Sequence, residues 1–129
     1  MKNGKKTIVE KHIFNSFYLL KKNINIEPIF LLEKVIKIVR PIFDITSIKI
    51  GKQVHTVPIP ITANKQIKIA LSWLILYIRR SRYKHNLTLC GRVFDEFLTL
   101  LFPKINSVIK LRNDFYKRIC ENRTKIRYR

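Results

Sequence analysis

Three prolines in the middle of the chain set the strongest limit on its fold. Pro41 disfavours helical geometry at Arg40, so a helix arriving from the N-terminal side must stop there. Pro58 and Pro60 stand two apart in a segment, Ile42 to Ile61, that is crowded with β-branched residues and divided by Gly51-Lys52. Glycine suits a tight turn, and the segment reads as a β-hairpin over about 42–61. In a two-stranded ribbon alternate N–H groups point away from the partner strand. Both prolines share that parity, so neither removes a ladder bond. They also block a third strand, which predicts an exposed arm and not part of a larger sheet.

Helical periodicity holds on both sides of the hairpin. Thr7-Ile8-Val9-Glu10 has the form of a capping box with Thr7 as N-cap, and Val9, Ile13, Phe17 and Leu20 follow at helical spacing. Pro28 suits a first helical turn, and Ile29, Leu32, Ile36 and Val39 make a second stripe. Asn64 is the expected cap of a third helix with Ile67, Ala70, Leu71, Leu74 and Ile78 on one face. Ile69, Trp73, Leu76 and Tyr77 cover much of its remainder, which predicts the central, most buried helix. A basic loop from Arg79 to His85 leads to a fourth helix, from about Leu87 to Phe102, with Cys90, Val93 or Phe94, Phe97 and Leu101 inward and Pro103 ending it. The fifth begins near Asn106-Ser107 and carries Val108, Leu111, Phe115 and Ile119. The expectation is a single domain over residues 1–129, mainly α: a bundle of about five helices with one protruding β-hairpin arm between the second and third.

Charge then narrows the function. The chain has 27 Lys+Arg against 8 Asp+Glu, a formal net charge of +19, with basic residues from Lys2 to Arg129. Self-repulsion on that scale opposes a compact monomer unless a polyanion neutralises it. Nucleic acid is the first candidate and an anionic membrane the second. The most apolar stretch, Ile67 to Ile78, is interrupted by Lys68 and Ser72, and a span needs about 20 apolar residues, so the stretch reads as a core helix. Met1-Lys2-Asn3-Gly4-Lys5-Lys6 leads straight into the first stripe, and no signal or transit peptide is expected.

Catalytic and metal chemistry have little to stand on. The sequence holds no P-loop, GxGxxG, HExxH or Gly-flanked serine, and its acidic residues are scattered singly apart from Asp95-Glu96. That pair reads as an intrahelical partner of Arg92. Cys90 and Cys120, with His12, His55 and His85, show no metal-ligand spacing, so they read as two buried thiols and three ordinary histidines, with no cofactor.

The basic residues do form constellations. Lys5 and Lys6 stand at a helix entrance, where free N–H groups and the helix dipole favour phosphate. Arg40 lies at the hairpin base, and Lys49 and Lys52 near its tip. Arg79, Arg80, Arg82 and Lys84 make the loop after the third helix. The fifth helix carries Lys110, Arg112, Lys117, Arg118, Arg123 and Lys125, and Arg127, Tyr128 and Arg129 follow. Tyr128, His55 and Tyr83, set among these charges, are candidates to stack on unpaired bases.

These residues resemble the universal small-subunit ribosomal protein seven family. The likeness runs through Gly4-Lys5-Lys6, Val39-Arg40-Pro41, Ser47, Lys49-Ile50-Gly51 and Val57-Pro58-Ile59. It continues with Ala70, Leu71, Trp73 and Arg79-Arg80, and closes with Lys110, Arg112, Asp114, Asn122-Arg123 and Tyr128-Arg129. The resemblance implies a structural, non-enzymatic ribosomal protein that binds the 3′ major (head) domain of small-subunit ribosomal RNA and organises head assembly. It also implies a hairpin placed beside messenger RNA and the exit-site transfer RNA, with neighbouring small-subunit proteins of the head and platform as partners. The chain departs from the family's pattern in several places. A basic arm before Gly4 and a helix after Arg129 are expected to be missing, Lys52 replaces a second turn glycine, Ile48 an arginine and His55 a tyrosine. Heavy use of Ile, Lys, Asn, Phe and Tyr (8 Phe and 5 Tyr against 3 Gly) is what an A+T-rich genome gives. An organelle-encoded, mitochondrial member is expected, with a plastid and a reduced bacterial endosymbiont as alternatives. A nucleic-acid-binding module outside the ribosome is the competing class. It would need one helix offering Arg, Asn or Gln to base edges, whereas the charges here spread over several elements.

Overall fold

The structure, a computed structural model, describes residues 1–80, 88–102 and 107–123. Its elements are α1 (Lys6–Ile24), α2 (Pro28–Val39), β1 (Phe43–Ile50), β2 (Gln53–Pro60), α3 (Ala63–Arg80), α4 (Leu89–Leu101) and α5 (Ser107–Asn122). This is the expected class, five helices with one antiparallel hairpin between the second and third. The expected end of α4 at Pro103 lies outside the described residues.

One buried cluster draws on every helix: Leu20 of α1, Leu31, Val35 and Val39 of α2, Ala70, Leu74 and Ile78 of α3, Val93, Phe97 and Leu100 of α4, and Val108 of α5. The centre is α2, which packs on α1, α3, α4 and α5. Here the structure corrects the expectation that α3 is the most buried helix. It buries a single row at i, i+4 and i+8 (Ala70, Leu74, Ile78), while Ile67, Leu71, Ile75 and Leu76 stay exposed. A helix apolar around more than one face is buried only as far as its neighbours reach. The stripe on α2 is also shifted. Leu31, Val35 and Val39 are sealed, but Ile29 is 69% exposed because it sits about 120° round the helix from that row.

Two helix starts, those of α1 and α3, differ from their sequence signals. Asn3 and Gly4 both take positive φ, at 54° and 70°, so the chain turns tightly and Lys5 N–H reaches Lys2 O at 3.2 Å. The helix therefore begins at Lys6, one residue before Thr7, and no side chain caps it. Gln66 N–H donates to Thr62 O at 3.0 Å, which puts Asn64 inside the first turn of α3 instead of at its cap. For α4 the cap is Thr88, whose hydroxyl accepts from Gly91 N–H at 3.4 Å.

The hairpin register pairs Ile50 with Gln53 across a two-residue turn and runs to Phe43 with Pro60. Gly51 has φ of +61° and Lys52 does not share the positive sign, the pattern of a type II′ turn. Beside such a turn the first pair is hydrogen-bonded, and the alternation puts Pro58 and Pro60 at non-hydrogen-bonded positions. Ile61 N–H to Ile42 O, at 3.4 Å, continues the ladder in the same phase. The prolines sit where parity allows them.

The arm is not exposed throughout. Val57 and Pro58 are buried, and both strands rest on α5. Thr56 Oγ1 donates to Asn122 Oδ1 at 2.9 Å, and Tyr116 Oη accepts from Ile42 N–H at 3.2 Å. Lys65 meets Asp44 at 2.6 Å on the same base. Val57 is therefore sealed against the body, a role that the pattern of an exposed arm did not predict.

Candidate nucleic-acid interface

The basic residues fall into groups set by these elements. The first rims a groove of about 760 Å³ where α1, α3 and α4 meet. Its floor is apolar, made by residues such as Val9, Ile13, Leu74 and Val93, and four cations line it: Lys2, Lys5, Arg79 and Arg92. No carboxylate is among the described residues that line it. The fold thus brings together Lys5 and Arg79, far apart in sequence, and adds Lys2 and Arg92. Arg92 is half-buried, and its Nε is buried without a hydrogen-bond partner among the described residues. The sequence pattern assigned Arg92 only to a helical charge pair. The stronger signal was positional: Arg79 lies in the last turn of α3 and Arg92 in the first turn of α4, the next helix of the chain.

Two sequence neighbours of this group do not line the groove. Lys6 is exposed and bound loosely to Glu10, at 3.7 Å. Arg80 is exposed at the last position of α3.

The second group surrounds the hairpin base. Arg40 caps α2 with its backbone N–H to Ile36 O at 2.9 Å, and its carbonyl accepts from Tyr116 Oη at 3.5 Å, which leaves its side chain exposed. Arg112 is different. It is half-buried, donates from Nη1 to Ile38 O and from Nη2 to Asn113 Oδ1, and lies 6.0 Å over the Tyr116 ring. Its guanidinium fastens the C-terminal end of α2 to α5, so its first work is inside the protein. Lys110, two residues earlier on the same helix, is exposed. Arg123 is exposed just beyond Asn122, the residue that holds β2.

The third group is the tip, where Lys49 and Lys52 are exposed. Lys49 stands two strand positions beyond the Ser47–Thr56 pair at the outer limit of the docked base and Lys52 four, which puts them roughly 7–13 Å out. Arg82, Arg127, Tyr128 and Arg129, with Tyr83, Lys84, His85 and Lys125, lie outside the described residues.

Other sequence expectations meet mixed outcomes. Cys90 is half-buried, but Cys120 is exposed on α5, so only one of the thiols approaches the burial expected of both. Among the described residues no helix is long and apolar enough to cross a membrane. No group of three or more His, Cys, Asp or Glu is placed there to hold a metal ion.

Comparison with known proteins gives the family. The profile of ribosomal protein S7p/S5e matches residues 1–123. Small ribosomal subunit protein uS7 of Thermodesulfovibrio yellowstonii is 28% identical over 129 residues, covering 100% of this chain and 80% of that protein. The uS7 of Mycoplasma mycoides subsp. mycoides is 31% identical over 130 residues, covering 100% and 81%. Small ribosomal subunit protein uS7A of Aquifex aeolicus is 31% identical over 102 residues, covering 78% and 64%. With a profile matched along almost the whole sequence, the chain belongs to the ribosomal protein S7p/S5e family, whose members are structural and not enzymatic.

Proposed function

We propose that this chain is a structural constituent of the small ribosomal subunit that binds the 3′ major (head) domain of its ribosomal RNA. On this reading it organises head assembly and holds its hairpin near messenger RNA and the exit-site transfer RNA. The observation that carries the reading is the separation of charge from core. Lys5 stands at the cap of α1, and Arg79 and Arg80 at the end of α3, helices that supply the buried cluster, whereas Lys49 and Lys52 stand on a tip that contributes nothing to it. A folded RNA presents phosphates in several directions, which suits cations spread over α1, α3, α5 and the hairpin. A groove reader of duplex DNA concentrates its contacts on one helix or ribbon.

The body then serves RNA docking, and the tip serves contacts made after assembly. Neighbouring proteins of the head and platform complete the surroundings. The use of 8 Phe and 5 Tyr against 3 Gly supports an organellar, mitochondrial setting.

Filter-binding salt titrations of the head-domain RNA, beside subunit sedimentation profiles, test the division. Arg79→Ala with Arg80→Ala is expected to lower affinity and reduce the salt slope by about 0.7–0.9 for each phosphate no longer neutralised. Lys49→Ala with Lys52→Ala should leave assembly intact and weaken exit-site transfer RNA retention. Abolished assembly in the tip variant, with an unchanged slope in the arginine variant, would overturn the assignment.

A further inference from the structure

The solvent face of α1 carries a feature that neither the core nor the basic groups account for. Phe14 and Tyr18, one turn apart, are 68% and 67% exposed. Single exposed apolar residues are ordinary on a protein surface. Two aromatic rings on successive turns, bracketed by lysines, form a pattern. At 100° per residue Lys11, Phe14, Tyr18 and Lys22 fall in a stripe about 80° wide. All four are exposed, as is Asn15 beside them. The buried residues of α1, Ser16 and Leu20, occupy the opposite side, so the stripe points directly away from the bundle. Lys21 at its edge is bound to Glu27 at 2.9 Å and is not counted.

We infer that this stripe is a stacking platform for unpaired RNA bases. Each ring offers a π face at the spacing of adjacent helical turns, 5–6 Å between Cβ atoms. Lys11 and Lys22 stand about 16 Å apart along the axis, one at each end of the ring pair, placed to meet the phosphates on either side of the stacked nucleotides. Aromatic rings set in a cationic surface bind single strands in this way without choosing a sequence. An interfacial membrane helix would need one broad apolar face, whereas the other exposed apolar residues of α1, Ile8 and Leu19, lie to one side of a stripe that carries Lys11 and Lys22. The net charge of +19 works against a second copy of the chain as occupant. The inference rests on the RNA-binding reading above and adds a site and a ligand class to it.

The test uses the full chain and a short labelled oligoadenylate, with a duplex RNA of equal length as control. Phe14→Leu with Tyr18→Leu keeps an apolar side chain at exposed positions, so the fold is left alone while both π faces are removed. Affinity for the single strand should fall about 10- to 100-fold at an unchanged salt slope, and duplex affinity should not move. Tyr18→Phe should bind like wild type. Lys11→Gln with Lys22→Gln should lower both affinity and slope. Single-strand affinity in the leucine variant equal to wild type overturns the inference, and so does an equal deficit on duplex. Unchanged RNA affinity with lost subunit association would mean a protein occupant and also overturns it. If the wild type ignores head-domain RNA but shows the oligoadenylate pattern, the ribosomal reading falls and the platform stands.

Discussion

Ser16 is fully buried where α1 and α4 pack, and its hydroxyl donates to His12 O at 2.7 Å or Cys90 O at 3.2 Å. Ser16→Ala removes that donor and should cost about 1 kcal/mol. Ser16→Leu must force the two helices apart and should cost about 1–3 kcal/mol, measured by urea unfolding. Arg112 poses a similar question with an exposed end. Arg112→Met loses the bond to Ile38 O and the contact with Tyr116, so stability should fall by about 1–3 kcal/mol. RNA affinity of the folded fraction should keep its salt slope, and a slope reduced by one phosphate's worth would show that Arg112 meets RNA. Trp73 is only half-buried, edge-on to Phe115 with centroids 5.5 Å apart. Trp73→Ala should therefore fall short of the about 3–5 kcal/mol that a sealed ring would cost.

At the scale of elements the hairpin divides into a pinned base and a free tip. Tyr116→Phe removes the hydroxyl that Ile42 N–H donates to, so the amides of β1 and β2 should exchange faster while core amides of α2 do not. Exchange that accelerates everywhere alike would mean the base is part of the global unit. Gly51→Val places a β-branched residue at φ of +61° and should cost about 1–2 kcal/mol, felt in the tip alone. The hairpin was also the most legible element, because proline parity and a turn glycine are local constraints that act before any packing. The helices themselves were legible from period. Which row of each helix faces inward was less so, since Ile29 and Leu31 are equally apolar and only the placement of α2 among four neighbours separates them. The groove rim was half legible. Lys5 and Arg79 stood out as charge clusters, whereas Lys2 and Arg92 became partners through tertiary packing. The outer face of α1 was not legible, because helical period picks out the apolar stripe and not its complement.

Over the whole molecule one balance governs stability. A modest core drawn from five helices must hold together a net charge of +19. Ion pairs such as Lys21–Glu27 and Lys117–Asp114 lie at the surface, where each contributes little, while Lys65–Asp44 is partly buried. Screening therefore removes little attraction and much repulsion. The apparent unfolding midpoint of the free protein should rise as sodium chloride is raised from low to moderate concentration, over which the Debye length contracts to about 10 Å or less. A neutral osmolyte at matched concentration separates this effect from general exclusion at the surface. A midpoint that falls with salt would place the ion pairs above the repulsion and reverse the argument. The same balance sets the effect of RNA. A head-domain fragment binds the folded state and neutralises the charge that opposes it, so at a hundredfold excess over Kd it should add about 2.7 kcal/mol. That gain should shrink as salt rises, because screening weakens the hold on phosphate while it relieves self-repulsion. With RNA present the salt dependence of the midpoint should flatten or change sign. Parallel curves with and without RNA would mean that the bound RNA leaves the protein's charge where it was.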